Sequence, residues 1–162
     1  MTEPLSPSVQ RVQQTLKHLG FSHQLRTFPS TTRSARDAAR AIGCRVEQIA
    51  KSLVFRGKRT HRPVLVIASG GNRVDEEKLG EEVAEPVEKA DAEFVRQHTG
   101  FAIGGVPPIG HREQLETFID KDLLRYEEIW AAAGSPYAVF RLTPTDLVKM
   151  TKGRVVEIAA NS

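Results

Sequence analysis

The stretch Pro-Val-Leu-Val-Ile-Ala at residues 63–68 contains no charged side chain and is rich in β-branched residues. β-Branched side chains favour strands, and an uninterrupted apolar run is typical of a strand covered on both faces. We therefore predict a central strand of a sheet here. A neighbouring strand is predicted at residues 52–55, Ser-Leu-Val-Phe, with the polar segment 56–62 connecting the two.

Capping residues, together with apolar positions three or four residues apart, predict five helices around these strands. Their predicted caps are Ser6 or Ser8 for the first helix and Ser34, Asp75, Asp91 and Thr143 for the others. One further helical turn is predicted at residues 46–50, directly before Lys51. Further strands are predicted at residues 21–28, 115–119, 128–131, 137–142 and 155–158. Because strands and helices are interspersed without regular alternation, we expect an α/β fold with a mixed sheet and helices around it.

The length and composition are those of one globular domain. The chain has 162 residues, of which 40% are hydrophobic and 27% charged, and we expect a single domain over residues 1–162. No apolar run approaches the roughly 20 residues that span a bilayer, and the first residues lack the pattern of an export signal. Cys44 is the only cysteine, so no internal disulfide can form. We expect a soluble cytoplasmic protein without membrane contact.

The formal net charge of +3 conceals two segments of opposite sign. Residues 1–62 carry twelve Lys and Arg against three Asp and Glu, whereas residues 75–93 carry nine Asp and Glu against two Lys. The basic segment could meet a polyanion such as nucleic acid. Charge alone favours the simpler interpretation, in which arginine-rich helices are solvated.

Several kinds of catalytic site are not supported by the sequence. The five histidines and Cys44 have none of the spacings typical of zinc ligands, and Cys44 is interpreted as a packing residue. Neither a Gly-x-Ser-x-Gly nucleophile motif nor a phosphate-binding P-loop motif occurs. We therefore expect no metal, no cofactor and no nucleotide hydrolysis.

Two features remain as candidate functional elements. The first is the Gly/Pro loop at residues 99–111, Thr-Gly-Phe-Ala-Ile-Gly-Gly-Val-Pro-Pro-Ile-Gly-His, which predicts a rigid, exposed backbone surface able to direct N–H groups at an oxyanion. The second is Lys51, which either extends to solvent or projects into a cleft to bind a phosphate or polar substrate. A plain turn and a solvent-exposed lysine are the alternatives. Asp120 and Asp122 are predicted to begin a helix rather than to act as an acid–base pair.

Three segments together resemble the YbaK/prolyl-tRNA synthetase-associated domain family of aminoacyl-tRNA deacylases. They are residues 48–55 (Gln-Ile-Ala-Lys-Ser-Leu-Val-Phe), residues 99–110 of the Gly/Pro loop and residues 117–120 (Thr-Phe-Ile-Asp). The resemblance covers almost the whole chain in order and without large gaps. It implies a single α/β domain with a mixed, largely antiparallel, barrel-like sheet surrounded by helices.

The resemblance also implies an activity, namely hydrolysis of the ester between a small amino acid and the terminal ribose of a mischarged tRNA, without metal or cofactor. Lys51 corresponds to the invariant lysine of that family, and residues 104–108 correspond to its Gly-x-x-x-Pro loop. The catalytic residues that the resemblance implies are Lys51, Gly104, Gly105, Val106 and Pro108. The implied partner is the acceptor end of tRNA, whose phosphates the basic segment could meet; an aminoacyl-tRNA synthetase is left open as a second partner.

Four further positions are implied in substrate binding. Phe28 and Ser34 correspond to positions that line the amino-acid pocket in relatives. Ala132 and Val139 stand where relatives that remove cysteine carry a Ser and an Asp, so alanine, serine, threonine or another small amino acid stays open as the substrate. A non-catalytic nucleic-acid-binding module and an inactive protein with the same fold are the alternative hypotheses.

Overall fold

The structure is a computed structural model that describes residues 6–23, 25–29, 32 and 34–160. Within these residues the α-helices are α1 (Pro7–His18), α2 (Ala35–Ile42), α3 (Glu76–Val83), α4 (Ala92–Thr99) and α5 (Pro144–Thr151). The strands are β1 (Leu25–Thr27), β2 (Ile49–Gly57), β3 (Pro63–Ser69), β4 (Val87–Lys89), β5 (Glu116–Asp120), β6 (Ile129–Ser135), β7 (Ala138–Leu142) and β8 (Arg154–Val156). Short 3₁₀ helices, Val46–Gln48 and Lys121–Arg125, precede β2 and follow β5.

All these strands belong to one mixed sheet in which β3 is central. β3 pairs antiparallel with β2 and parallel with β5, and its residues 64–68 are completely buried. The strand order is β1-β7-β6-β2-β3-β5-β8, and β4 pairs with β2 beside that path. Four of the strand pairs in the described residues are antiparallel, and three, β2–β6, β3–β5 and β5–β8, are parallel. The predicted mixed α/β fold and its central strand are confirmed.

An interruption in the pairing of β2 creates the space for a site. One edge of β2 pairs with β3 along almost its whole length. The other edge pairs with β6 over its first two residues and with β4 over its last three, so that no described strand lies beside residues 51–54 there. The carbonyl of Val54 accepts a hydrogen bond from the Ala90 N–H (3.1 Å). β2 therefore presents an open edge between two strands that diverge from it.

The predicted helix caps are confirmed, and of the two serines predicted for the first helix it is Ser6 that caps α1, since Ser8 lies inside that helix. The caps are Ser6, Ser34, Asp75, Asp91 and Thr143, and each side chain accepts a hydrogen bond from an N–H of the first helical turn. Each bond satisfies a donor that has no partner inside the helix. The cap of α2 places the start of that helix beside the open edge of β2.

The prediction for residues 46–50 is only partly right. Val46–Gln48 forms a 3₁₀ turn, but Ile49 and Ala50 begin β2 because they pair with β6. Lys51 consequently lies inside a strand, not at its boundary. Local pattern could not reveal this, since the pairing partner is about 80 residues away in the sequence.

Other strand limits also differ from the prediction. At residues 21–28 the described strand is only β1, because the Phe21 N–H bonds to the Leu16 carbonyl (2.8 Å) and closes the end of α1. β6 continues past its predicted end at residue 131 to Ser135, since its alanines pair with β7. β4 was not predicted, because a three-residue strand with two charged side chains has no apolar pattern.

Helices cover both faces of the sheet. Val9, Val12 and Leu16 of α1 join a core cluster with β6 and β7, while Leu79 and Val83 of α3 join a second cluster on β3. Burial of these apolar side chains, worth about 25 cal/mol per Å², holds the helices on the sheet. In the part of the chain that the structure describes, no helix is long and apolar enough to cross a membrane.

Candidate active site

A cleft of about 500 Å³ lies at the open edge of β2. Its walls include β2, the β6–β7 hairpin, the start of α2, the Gly/Pro loop and the turn after β3 at residues 70–71. A side lobe of about 290 Å³ shares Lys51 and Gly104 with the cleft and is lined also by Arg73 and Lys89. The cleft exists because β4 and β6 diverge from β2 and leave residues 51–53 half-buried between them.

Lys51 is a half-buried cation that lines both the cleft and its side lobe. Burial lowers the pKa of Lys51 below its ordinary value of 10.5; the Asp120 carboxylate opposes this shift and the Lys89 ammonium adds to it. Across the described ranges, no carboxylate oxygen lies within 4.0 Å of the Lys51 ammonium. The charge is therefore desolvated but unpaired, and it remains available to a polar ligand.

Asp120 is a fully satisfied buried carboxylate next to this lysine. Its Oδ2 accepts hydrogen bonds from the Ser69 N–H (3.0 Å) and the Asn72 side-chain amide (2.9 Å), and its Oδ1 accepts one from the Asp122 N–H (3.0 Å). The last bond confirms the predicted helix cap. What the sequence could not show is that the same side chain joins β5 to the end of β3 and acts electrostatically on Lys51.

The Gly/Pro loop reaches the cleft through its central glycines. Gly104 has φ +91°, a conformation that L side chains rarely adopt, and the Gly105 N–H donates to the Ala102 carbonyl (3.0 Å) to close a tight turn. Residues 102–104 are exposed, whereas residues 105–109 are buried. The predicted exposed backbone surface is thus limited to residues 102–104 at the tip of the loop, and the buried residues 105–109 anchor the loop.

Several backbone N–H groups of this loop have no acceptor in the described part of the chain, among them that of Ile103, which also lines the cleft. The Gly104 and Val106 N–H groups have no acceptor within the described part of the chain, and both residues line the cleft. The loop is clamped by His111, whose Nε2 lies 2.7 Å from the Pro107 carbonyl oxygen. Because a carbonyl oxygen only accepts hydrogen bonds, the Nε2–H of His111 is the donor. Burial lowers the pKa of His111, and the hydrogen bond to Pro107 opposes that shift. Sequence reasoning missed this role because no partner for His111 can be found from spacing.

The other predicted site residues lie in three different places. Ser34, Ala132 and Val139 line the cleft together with Lys51, Gly104 and Val106. Phe28 and Gly105 instead line a groove on the far side of the loop. Pro108 is buried under the loop and lines neither space.

Ser52 and Trp130 are two of the cleft residues that were not predicted. Ser52 follows Lys51 in β2, and its buried hydroxyl has no hydrogen-bond partner in the described structure. Trp130 of β6 forms part of the opposite wall. A polar residue within an apolar strand is the one signal that could have singled out Ser52.

The charge of the cleft does not follow the charge segments of the sequence. Among the residues that line the cleft and its side lobe, Arg36 and Lys51 come from the basic segment 1–62, whereas Arg73 and Lys89 lie outside it. Three arginines of that segment, Arg45, Arg56 and Arg62, instead form ion pairs with carboxylates elsewhere. No three His, Cys, Asp or Glu side chains of the described residues come together as a metal site would require.

A mixed α/β sheet with a cationic cleft, a half-buried lysine and free backbone donors is suited to a ligand that carries negative charge. The model of the aminoacyl-tRNA editing domain matches residues 29–150, and the chain belongs to that family. The match includes every predicted site residue except Phe28.

Individual relatives agree with this assignment. The chain is 30% identical over 128 residues to YwhH of Bacillus subtilis (strain 168), which covers 79% of this chain and 81% of that protein. It is 29% identical over 126 residues to EbsC of Enterococcus faecalis (strain ATCC 700802 / V583), which is named as a candidate Cys-tRNA(Pro)/Cys-tRNA(Cys) deacylase. That match covers 77% of this chain and 76% of EbsC. A solved structure, a candidate trans-editing enzyme for prolyl-tRNA synthetase, superimposes with a TM-score of 0.92 at 45% identity, covering 98% of this chain and 100% of the other.

Proposed function

We propose that this protein is an aminoacyl-tRNA deacylase that hydrolyses the ester between a small amino acid and the terminal ribose of a mischarged tRNA. The observation that carries the proposal is that the Lys51 ammonium and the free N–H groups of Gly104 and Val106 line one cleft. Membership of the editing-domain family supports the substrate class. The reaction takes place where charged tRNA is found, and we therefore assign it to the cytoplasm.

The proposed reaction is a direct attack by water. The water oxygen bonds to the ester carbonyl carbon, the bond from that carbon to the ribose oxygen breaks, and a proton passes from the water to the ribose oxygen. Negative charge develops on the carbonyl oxygen, and the N–H groups of Gly104 and Val106 are the donors assigned to it. Lys51 holds an oxygen of the ester end as a point charge. Because an acyl ester is already activated, positioning and charge stabilisation suffice without a covalent intermediate.

The walls of the cleft favour a small amino acid. Ala131, Ala132, Ala138 and Val139 contribute short apolar side chains to one side. A small apolar pocket discriminates weakly between side chains that differ by one methylene, which is about 1–3 kcal/mol. We therefore propose alanine, serine, cysteine and threonine as the substrates to compare, on tRNA(Pro) first because two relatives are named for proline or cysteine tRNAs.

A deacylation panel tests the proposal. Purified protein is mixed with tRNA(Pro) carrying each of the four amino acids, and release of amino acid is measured against the spontaneous rate. We expect turnover on at least one substrate and a loss of at least about 100-fold for Lys51→Ala, in the range of one charge-stabilising group. The matched control Lys149→Ala removes an exposed lysine of α5 that lines none of these spaces and should retain full activity. Absence of turnover on a panel extended to several tRNAs would reject the proposal.

A non-catalytic tRNA-binding role is the second candidate, because the lining cations alone would attract a polyanion. That role predicts affinity that falls steeply with salt and is equal for charged and uncharged tRNA. Rapid deacylation abolished by Lys51→Ala would exclude it.

A further inference from the structure

A second space, here named the adjoining groove, borders the cleft on the far side of the Gly/Pro loop. Its volume is about 1150 Å³, and it shares Ser135 and Ala138 with the cleft. Gly104 lines the cleft and Gly105 lines the adjoining groove, so a single stretch of backbone separates them. A ligand that leaves the cleft over this loop tip enters the adjoining groove directly.

Two aromatic rings line the adjoining groove. Tyr137, in the β6–β7 turn, is 47% exposed. Phe28, just after β1, is half-buried and has the Arg26 guanidinium 5.5 Å from its ring centre. The Phe28 N–H donates to the Tyr137 carbonyl (2.8 Å), which holds the two residues side by side. Exposed rings on a fixed backbone are surfaces on which unpaired nucleobases stack.

The charge around these rings also fits a nucleic acid. Arg96, in the last turn of α4, lines the adjoining groove, is exposed and forms no ion pair with any described carboxylate. The residues that line the cleft, the side lobe and the adjoining groove include no Asp or Glu, although the chain has 20 of them. The cations that line these spaces are Arg36, Lys51, Arg73, Lys89 and Arg96.

We propose that the adjoining groove binds the unpaired nucleotides that precede the terminal adenosine of tRNA, with a base stacked on Tyr137 and a phosphate beside Arg96. The inference rests on the proposed function, which places the ester and its ribose in the cleft. The next phosphate of the same strand must leave the cleft, and the adjoining groove is a space bordering the cleft that offers both Arg96 and two aromatic rings, Phe28 and Tyr137.

Substrates of increasing length test this assignment. The same amino acid is esterified to adenosine, to the trinucleotide cytidyl-cytidyl-adenosine and to full-length tRNA. Tyr137→Ala should lower kcat/KM on the two longer esters by about 5- to 100-fold, the effect of losing one stacked base, and change it less than about twofold on the adenosine ester. Tyr137→Phe keeps the ring and should behave as the unmodified protein.

A matched pair of variants tests whether the positive charge of Arg96 contributes to binding. Arg96→Gln and Lys149→Gln each remove one cation from the last turn of an α-helix. Only Arg96→Gln should lower kcat/KM on the trinucleotide ester, and the loss should be absent on the adenosine ester. Equal effects of Tyr137→Ala on all three esters, or none on the longer ones, would overturn the inference while leaving the deacylase function intact.

Binding of uncharged trinucleotide provides a readout that does not depend on catalysis. NMR shifts of the Tyr137 and Phe28 ring protons should move on addition of cytidyl-cytidyl-adenosine and not on addition of adenosine. If these chemical shifts do not change at saturating trinucleotide, the adjoining groove is not the binding site of the trinucleotide. This conclusion holds whether or not any ester is hydrolysed. Hydrolysis of none of the esters would instead reject the proposed function.

Discussion

The backbone of Gly105 lies directly against the backbone of Ser135: a methyl group at Gly105 would come within 2.8 Å of the Ser135 Cα atom. This contact fixes the Gly/Pro loop on the β6–β7 hairpin. It thereby sets the position of the two flanking N–H groups, those of Gly104 and Val106, relative to the cleft wall. Only a residue without a side chain allows the two backbones to approach so closely.

Replacing Gly105 should therefore displace the loop. We expect Gly105→Ala to lower the free energy of unfolding by about 1–3 kcal/mol, as overpacking does, and deacylation by at least about tenfold, because the donors move from the carbonyl oxygen. Gly153→Ala is the control, since the atoms nearest to its Cβ would belong to side chains and not to backbone, Ile119 Cδ1 at 2.9 Å and Thr117 Cγ2 at 3.1 Å. Chemical denaturation and single-turnover deacylation measure the two effects. Full activity of Gly105→Ala would contradict the assigned oxyanion donors.

A second prediction separates backbone strain from function. Gly104 and Gly20 have nearly equal φ values, +91° and +87°, and a Cβ at Gly20 would meet nothing within 4 Å. Gly104→Ala and Gly20→Ala should each lower stability by about 1–2 kcal/mol, because an L residue is strained at positive φ. Only Gly104→Ala should impair deacylation. If both variants were equally active, the conformation of Gly104 would have no bearing on the reaction.

The electrostatic surroundings of Lys51 predict how its pKa responds to substitution. Lys89 lowers the pKa of Lys51 and Asp120 raises it. Lys89→Gln should therefore raise the Lys51 pKa, and Asp120→Asn should lower it further. The titration is followed by ¹³C NMR of reductively methylated lysines, with the Lys51 signal assigned by its absence in Lys51→Arg. Lys149→Gln is the control and should leave the Lys51 pKa unchanged. If Lys89→Gln also left the Lys51 pKa unchanged, the proposed effect of the Lys89 charge would be refuted.

The surroundings of Glu85, away from the cleft, predict that the stability of the fold falls in acid. The N–H and hydroxyl of Thr60 and the N–H of Arg59 donate to its carboxylate at 3.0, 2.7 and 3.0 Å, and with Arg62 they lower the pKa of Glu85 from 4.5 to about 2. Because the folded state holds the carboxylate ionised, Glu85 stabilises the fold above pH 4.5, and this contribution disappears as the pH falls from 4.5 to about 2.

Denaturation as a function of pH measures this contribution. Glu85→Gln should be clearly less stable than the unmodified protein at pH 7, and the difference should narrow below pH 4.5. Glu116→Gln is the control, because Glu116 forms only a half-exposed pair with Arg62 at 3.6 Å, and such pairs contribute about 0–1 kcal/mol. A difference for Glu85→Gln that stays constant down to pH 2 would contradict the assigned ionisation.

The sequence by itself determined the helices, the central strand and the candidate elements of the site. Caps such as Ser34 and Asp91 accept hydrogen bonds from N–H groups three residues away, and the uninterrupted apolar run that predicts the central strand is completely buried at residues 64–68. These features depend on interactions within a few residues, so local pattern was enough. Lys51 and the Gly/Pro loop were recognised by residue type and by resemblance to a family.

The tertiary structure alone decided how these elements combine. Lys51 lies at an unpaired strand edge because β6 and β4, which follow it by about 80 and 35 residues, diverge from β2. Phe28 and Gly105 line the adjoining groove, not the cleft, because the Phe28 N–H is bound to Tyr137 and Gly105 packs on Ser135. The charge of the site likewise comes from cations scattered along the chain. Contacts between residues so far apart in sequence leave no local pattern, and only the folded sheet brings them together.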